Sequence, residues 1–296
     1  MPKFSDTETL IKNLFKIGTN FNFEGQKWTV VECAKPRPSR GECKTDIYLL
    51  VKSDKGTKEI KISIKQNNAD FLENKIKYER AKEIFGNDVD SILKKSINSI
   101  KTAFNNQFIV YFRSHQRTKE KVIKLGWKFE LMNKISGDLS GELILTDKQK
   151  EDIYSGINLP SDKKNASVNG RIIKNSGIAE YIMVVNQNTD YTLQYCIDNM
   201  QPIKKYICGR KIFFACKALN YRLTDNKWDG NRPLAVYINW FISNKKLKAK
   251  LIFNEPLKHT GNEVGNKVKV LLDQLNITKD NFDDLINKLD KEVKSI

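Results

Sequence analysis

The stretch from Gly41 to Gln66 holds the residues whose types and spacing best fit a chemical role. Apolar and polar residues alternate on both sides of a polar turn at Ser53–Gly56, which predicts the two strands of a hairpin. Two registers are open for such a turn, and they place Asp46 opposite either Lys65 or Ser63. In both registers a carboxylate, a hydroxyl and an ammonium group lie together at the open end of the hairpin, where a metal-bound water could be shared.

Asp46, followed by a hairpin and by Ser63-Ile64-Lys65, resembles the PD-(D/E)XK nucleases and, among them, the type II restriction endonucleases. The resemblance implies an α/β (α+β) fold with a mixed central sheet flanked by helices. It also implies that Asp46 and the Ile64 carbonyl bind Mg²⁺ and that Lys65 positions or activates the attacking water. Ser63 stands where the family has Asp or Glu, so it could hold a bridging water, and a second carboxylate must come from elsewhere.

Three acidic residues are candidates for that second carboxylate. Glu42, four residues before Asp46, is the first candidate. Glu8 is the acidic residue of a capping-box pattern, Ser5 to Glu8, that predicts an N-terminal helix, and Glu73 follows the hairpin in a predicted helix, Phe71 to Phe85. The expected catalytic set is therefore Asp46, Ser63, Lys65 and Glu42, with Asp46, Glu42 and Ile64 as metal ligands.

Glu59-Ile60-Lys61 spells the nuclease motif literally and is the alternative catalytic pair. In one register Glu59 pairs near Lys52, six residues along the strand from Asp46. At about 3.3 Å per residue that separation is roughly 20 Å, which is too far for a shared metal ion. A bulged or slipped hairpin would restore this alternative.

The composition favours a polyanionic partner. Lys and Arg number 52 against 35 Asp and Glu, a formal charge of +17, as expected for nucleic-acid binding. A lysine-rich proteome would give the same excess. Five scattered cysteines and two histidines predict reduced thiols in a prokaryotic cytosol and argue against a zinc site. No signal peptide, membrane-length apolar run or phosphate-binding loop is present, so neither a membrane nor a nucleotide cofactor is expected.

Several polar residues could contact DNA. A basic, proline-stiffened loop precedes the hairpin, a polar stretch follows it, and a glycine-punctuated segment lies near residue 170. Arg and Asn can read base edges in the major groove. The predicted nucleic-acid contacts are Arg37, Arg40, Gln66, Asn68, Arg171, Lys174, Asn175 and Ser176. An ordinary turn and a surface loop are the alternative interpretations of these segments.

A linker rich in Gly, Pro, Ser, Asp and Asn, Ser155 to Ala166, suggests a division of the chain. The expected parts are a catalytic nuclease core, 1–155, and a strand-rich region for DNA recognition or dimerisation, 167–296; one integrated domain is the alternative. Within these parts Lys121 to Met132 is predicted as a short helix and an apolar turn. The last two predicted helices are Val264 to Leu275 and Lys279 to Val293.

The resemblance to type II restriction endonucleases, together with the basic composition, implies a sequence-specific, Mg²⁺-dependent endonuclease of double-stranded DNA. The resemblance implies a homodimer, because twofold symmetry in the protein matches a palindromic site. Two alternatives stay open: a non-catalytic nucleic-acid-binding protein, and a structure-specific repair nuclease with the same fold.

Overall fold

The computed structural model describes residues 4–67, 70–74, 76–186 and 189–296. The fold is mixed α+β, with curled sheets flanked by helices, and the chain forms two compact units. Unit 1 comprises Met1–Asp70 and Leu145–Arg210, and unit 2 comprises Phe71–Ile144 and Lys211–Ile296. The units do not follow the division expected at residues 155–166, because strands from both sides of it share one sheet of unit 1.

The helical segments of the described residues are mostly short. The α-helices are α1 (Phe4–Leu14), α2 (Tyr78–Phe85), α3 (Val89–Ser99), α4 (Lys101–Asn105), α5 (Asp147–Ser155), α6 (Ser161–Lys164), α7 (Leu193–Asn199), α8 (Ile203–Tyr206) and α9 (Gly261–Gln274). Two 3₁₀ segments add Gly86–Asp88 and Phe282–Lys288. Within the described ranges no helix is both long and apolar enough to cross a membrane.

The strands range from two-residue bridges to 11 residues in β4, β7 and β13. In chain order they are β1 (Asn20–Phe23), β2 (Gln26–Ala34), β3 (Ile47–Ser53), β4 (Gly56–Gln66), β5 (Phe71–Glu73), β6 (Val110–Tyr111), β7 (Val122–Met132), β8 (Ser140–Leu143), β9 (Ser167–Val168), β10 (Arg171–Ile172), β11 (Tyr181–Val185), β12 (Met200–Pro202), β13 (Ile212–Arg222), β14 (Lys227–Trp228), β15 (Pro233–Leu234), β16 (Val236–Ser243), β17 (Lys246–Ile252) and β18 (His259–Thr260).

The sheet of unit 1 has the strand order β1-β2-β3-β4-β11-β12. All neighbours are antiparallel except β4 and β11, which run parallel. The hairpin predicted from the sequence is β3–β4, and Ser53 pairs with Gly56 at its turn. Ile47 pairs with Ile62. The observed register is therefore the predicted one that places Asp46 opposite Ser63.

Both faces of the β3–β4 hairpin are covered, which accounts for its long apolar run. One face carries alternating isoleucines, leucine and valine into a core that also contains Ile11 of α1 and Ile197 of α7. The other face places Tyr48 against Ala34 and Val168, beneath the short β9–β10 ribbon. The ribbon therefore closes the face of the sheet that carries the charged residues of the hairpin.

The sheet of unit 2 is antiparallel, with the order β14-β13-β7-β16-β17. Strand β7 is its centre, and helix α9 packs on β7 and β16. The prediction of a helix and turn at Lys121 to Met132 was therefore wrong. Almost every residue of β7 is buried, so the strand lacks the period-two alternation of a half-buried strand.

Two further helix predictions in unit 2 were only partly correct. The segment Phe71 to Phe85 begins as a strand, β5, and becomes helical at Tyr78. The C-terminal segment forms α9 as expected, but the second predicted helix is reduced to the 3₁₀ segment Phe282–Lys288. Tertiary pairing with β7 overrides the local helical pattern in the first case.

Candidate active site

Asp46 lies immediately before β3, and its carboxylate is tied to β4. Its Oδ2 atom accepts hydrogen bonds from the backbone N–H of Ile64, at 2.7 Å, and from the hydroxyl of Ser63, at 3.3 Å. Its own N–H donates to the Ile62 carbonyl at 2.9 Å. The Asp46 side chain thus takes the place of a backbone hydrogen bond of the ladder at the point where β3 begins.

The backbone explains why the ladder stops at Asp46. The N–H groups of Lys44 and Thr45 donate to the carbonyl of Gly177, at 3.1 and 3.3 Å, instead of continuing the pairing with β4. The chain before Asp46 therefore turns away from the sheet. In an antiparallel ladder the N–H and C=O of one residue point to the same neighbouring strand. The Ile64 carbonyl consequently points to the side on which Asp46 lies.

Lys65 and Ser63 lie on the same face of β4, because side chains of a strand repeat every two residues. Burial raises the pKa of the Asp46 carboxyl, and the nearby charge of Glu8 raises it further. The charges of Lys65 and Lys35 and the Ile64 N–H act in the opposite direction. The predicted aspartate and lysine are thus close enough to interact electrostatically.

A second carboxylate reaches this place from helix α1. Lys35 Nζ lies 2.6 Å from Glu8 Oε2 and 3.9 Å from Asp46 Oδ1. The Glu8 and Asp46 side chains are each 15% exposed. One ammonium group is therefore shared by two largely buried carboxylates, and it occupies the position expected of a cation between them.

Glu42, the first candidate for the second carboxylate, is exposed on the loop before Asp46. It lines a pocket of about 320 Å³ together with Lys35–Pro38, Gly41, Cys43, Thr45 and Asp46. Its charge contributes to the raised pKa of Lys35, after those of Glu8 and Asp46. The geometry therefore favours Glu8 over Glu42 as the partner of Asp46. Glu73 belongs to unit 2, where Arg80 binds its carboxylate at 2.9 Å.

The alternative pair, Glu59 and Lys61, has other partners. Glu59 lies opposite Leu50, four residues along β3 from Asp46. The Lys61 side chain is 7% exposed, and its Nζ lies 2.9 Å from Glu180 and 3.8 Å from Glu59. It also donates to the Asn175 carbonyl at 3.4 Å. These contacts hold the segment 175–180 on the sheet and give Lys61 a structural role.

The predicted DNA contacts differ in exposure. Arg37, Arg40, Lys174 and Asn175 are exposed, Gln66 is half-buried, and Asn68 lies outside the described residues. Ser176 is buried and donates its hydroxyl to the Ala166 carbonyl at 2.9 Å, so it is not available to DNA. Its prediction as a contact was wrong because sequence alone did not reveal that this turn folds inward.

Arg171 is exposed but already has a partner. Its Nη2 atom lies 2.7 Å from the carboxylate of Glu32, which is 8% exposed and also accepts a hydrogen bond from Asn169 at 2.9 Å. These bonds fix the β9–β10 ribbon to β2. A DNA contact by Arg171 would use only the guanidinium N–H groups that do not bind Glu32.

The site has a donor set of the kind that Mg²⁺ prefers. Across the described ranges no group of three or more His, Cys, Asp or Glu side chains is placed to hold a metal ion. Mg²⁺ is usually held by one or two carboxylates, with water and substrate phosphate completing the shell. Asp46, Glu8 and the Ile64 carbonyl, with an ammonium group already between the carboxylates, fit that requirement.

Sequence reasoning missed two features of this site. Lys35 lies in the basic loop before the hairpin, and its position beside Asp46 depends on the pairing of β2 with β3, which brings Ala34 opposite Tyr48. Glu8 was a secondary candidate, and the position of α1 against the sheet decides in its favour. Comparison with family models, curated proteins and solved structures finds no match to this chain.

Proposed function

We propose that this chain is a Mg²⁺-dependent endonuclease of double-stranded DNA with a PD-(D/E)XK-type core in unit 1. The observation that supports this most is the arrangement at the N-terminal end of β3. Asp46, Ser63 and Lys65 share one side of two paired strands, and Glu8 approaches from a helix. The expected reaction is hydrolysis of a phosphodiester at a specific sequence.

Each residue has a role that follows from its position. Asp46, Glu8 and the Ile64 carbonyl would hold Mg²⁺, which polarises phosphate oxygens and lowers the pKa of bound water. Lys65 orients the attacking water and stabilises charge that develops on the phosphate. Ser63 donates to Asp46 Oδ2 and so fixes the carboxylate. The Ile64 N–H adds a second, shorter bond to the same oxygen.

Charge supports binding of DNA by both units. Unit 2 has 30 Lys and Arg against 19 Asp and Glu, and unit 1 has 22 against 16. Unit 2 thus has the larger positive excess, as expected of a region that binds a polyanion. In unit 1 the exposed Arg37 and Arg40 lie on the loop beside Asp46, where they can contact phosphates on either side of the cut.

The remaining parts of the proposal concern assembly and place. A homodimer would let each copy cut one strand of a palindromic site. The proposed compartment is the prokaryotic cytosol, where DNA and Mg²⁺ are both present, and no nucleotide cofactor takes part.

The test is cleavage of genomic DNA by the purified protein with and without Mg²⁺, followed by sequencing of the ends. Discrete fragments with one terminal sequence are expected only when Mg²⁺ is present. Asp46→Ala and Lys65→Ala should abolish cleavage while a gel shift of the DNA persists. Gel shifts without cleavage in any divalent cation would instead support a non-catalytic binding protein, an alternative that the serine at position 63 favours. Cutting only at flaps or junctions would indicate a structure-specific nuclease.

A further inference from the structure

The Lys35 ammonium is shared unequally by two carboxylates. It is hydrogen bonded to Glu8 at 2.6 Å and lies 3.9 Å from Asp46. Its side chain is 47% exposed, whereas each carboxylate side chain is 15% exposed. The carboxylates are therefore held inside the site, and the cation between them can leave toward solvent.

The backbone at Lys35 is fixed independently of this contact. Lys35 directly follows β2 and precedes the buried Pro36. Arg37 then exchanges two backbone hydrogen bonds with Ser167, each of 2.9 Å. Because the main chain is held on both sides, the flexible four-carbon stem can swing away without moving the loop.

Electrostatics explains why a cation belongs here. Two facing carboxylates repel each other, and their burial makes the charged forms more costly. The Lys35 ammonium, 2.6 Å from Glu8 and 3.9 Å from Asp46, compensates the charge of both acids.

We propose that Lys35 is a displaceable counter-ion of this site: it holds Glu8 and Asp46 together when no divalent cation is bound and gives up its place when one enters. The inference rests on the proposed metal site. It makes Lys35 a positioning residue that sets metal affinity, because each entering ion must first displace the ammonium. Lys35 and Asp46 line the same pocket, so the ammonium and the proposed metal site share one opening.

The experiment measures Mn²⁺ dissociation constants by titration calorimetry, without DNA, for the whole protein and for matched variants. Lys35→Met removes the competing cation, and Arg37→Met removes a nearby positive charge of the same loop. We expect Lys35→Met to bind Mn²⁺ at least about five times more tightly than Arg37→Met, which stays within about twofold of the wild type. Equal affinities of the two variants, or weaker binding by Lys35→Met, would overturn the proposal.

A thermal unfolding series in EDTA supplies a second readout. Lys35→Met should unfold at a lower temperature than Arg37→Met, and Mn²⁺ should restore more of its stability than it adds to the wild type. If Lys35→Met does not fold, Lys35→Gln is the substitute, since it keeps a donor for Glu8, and the same difference in affinity is expected. Lys35→Arg retains the charge, so tighter Mn²⁺ binding by that variant would also refute displacement.

The outcomes separate this inference from the nuclease proposal. If the wild type cuts DNA with Mg²⁺ but Lys35→Met and Arg37→Met bind Mn²⁺ equally, only the counter-ion role fails. If Lys35→Met binds Mn²⁺ more tightly and no variant cuts DNA, the counter-ion role stands and the nuclease proposal fails.

Discussion

The backbone N–H of Ile64 donates to Asp46 Oδ2 at 2.7 Å, so a side chain takes over the pairing just before the backbone enters β3. This bond commits one carboxylate oxygen to β4. The other oxygen, Oδ1, faces Lys35 and is the one free to meet a cation. The orientation of Asp46 is therefore fixed by the fold before any metal or DNA arrives.

The first prediction compares Glu8 with Glu42 as the second carboxylate. Glu8→Gln should reduce the cleavage rate by at least about 100-fold, because it removes a metal ligand that faces Asp46. Glu42→Gln, on the exposed loop, should change the rate by less than about threefold. Single-turnover cleavage at saturating Mg²⁺ measures both rates. A large loss from Glu42→Gln with little effect of Glu8→Gln would reverse the assignment.

The second prediction concerns Lys61. Lys61→Met should lower the free energy of unfolding by about 1–3 kcal/mol, because Glu180 and the Asn175 carbonyl lose a partner at a largely buried position. Cleavage per folded molecule should stay within about threefold of the wild type. Urea denaturation and a cleavage assay on the same preparation give the two numbers, with Lys55→Met in the turn as the control. Complete loss of cleavage in a stable Lys61→Met protein would support the Glu59/Lys61 alternative.

The third prediction tests how the Asp46 segment is positioned. A Cβ atom at Gly177 would lie 2.0 Å from the Lys163 carbonyl and 2.8 Å from Cys43 Cβ. Gly177→Ala must therefore push its segment away from Lys163 and Cys43, which disturbs the hydrogen bonds to Lys44 and Thr45. We expect it to lower the free energy of unfolding by more than about 2 kcal/mol. A Cβ atom at Gly170 would meet nothing within 4 Å, so Gly170→Ala creates no clash. Its positive φ predicts that alanine lowers the free energy of unfolding by only about 1–2 kcal/mol. Equal stability of the two variants in urea denaturation would contradict the close approach at Gly177.

The fourth prediction concerns Lys124 in unit 2. Its side chain lies in the interior, over the rings of Tyr111 and Trp127, and burial lowers its pKa from 10.5 to about 8. Above pH 8 the native state loses this proton, whereas the unfolded state keeps it up to about pH 10.5. The unfolded state therefore binds more protons in this window, and the wild type should gain stability as pH rises through it.

Lys124→Met removes the buried charge, so it should stabilise the protein at pH 7 by an amount on the order of 1–3 kcal/mol. That gain should shrink between pH 8 and 10.5. Chemical denaturation across this range measures it, and Lys119→Met, at an exposed position, should show no such pH dependence. Destabilisation by Lys124→Met at pH 7 would mean that its contacts with Tyr111 and Trp127 outweigh its desolvation.

The parts of unit 1 that follow local rules could be predicted from the sequence. The β3–β4 hairpin was expected from alternation, and the N-terminal helix, α1, was also expected. The hairpin pattern allowed two strand registers, and the structure has the one that places Asp46 opposite Ser63. In contrast, β7 has apolar residues on both faces, and no local period distinguishes such a strand from a buried helix.

The candidate site was predictable only in part, for a physical reason. Asp46, Ser63 and Lys65 belong to neighbouring strands of one hairpin, so short-range pairing brings them together. Glu8 and Lys35 reach the site through the packing of α1 and the pairing of β2 with β3, which are contacts between distant parts of the chain. Ser176 illustrates the same limit, since only the folded turn shows that its hydroxyl points inward.

The interleaved order of the two units has a consequence for synthesis of the chain. The edge of β4 that pairs with β11 is translated more than a hundred residues before Tyr181–Val185 emerge from the ribosome. During that interval the nascent chain presents an unpaired, apolar strand edge, which is a template for association with other chains. A fragment that stops at residue 155 would keep this edge open permanently. Recombinant work should therefore use the full chain.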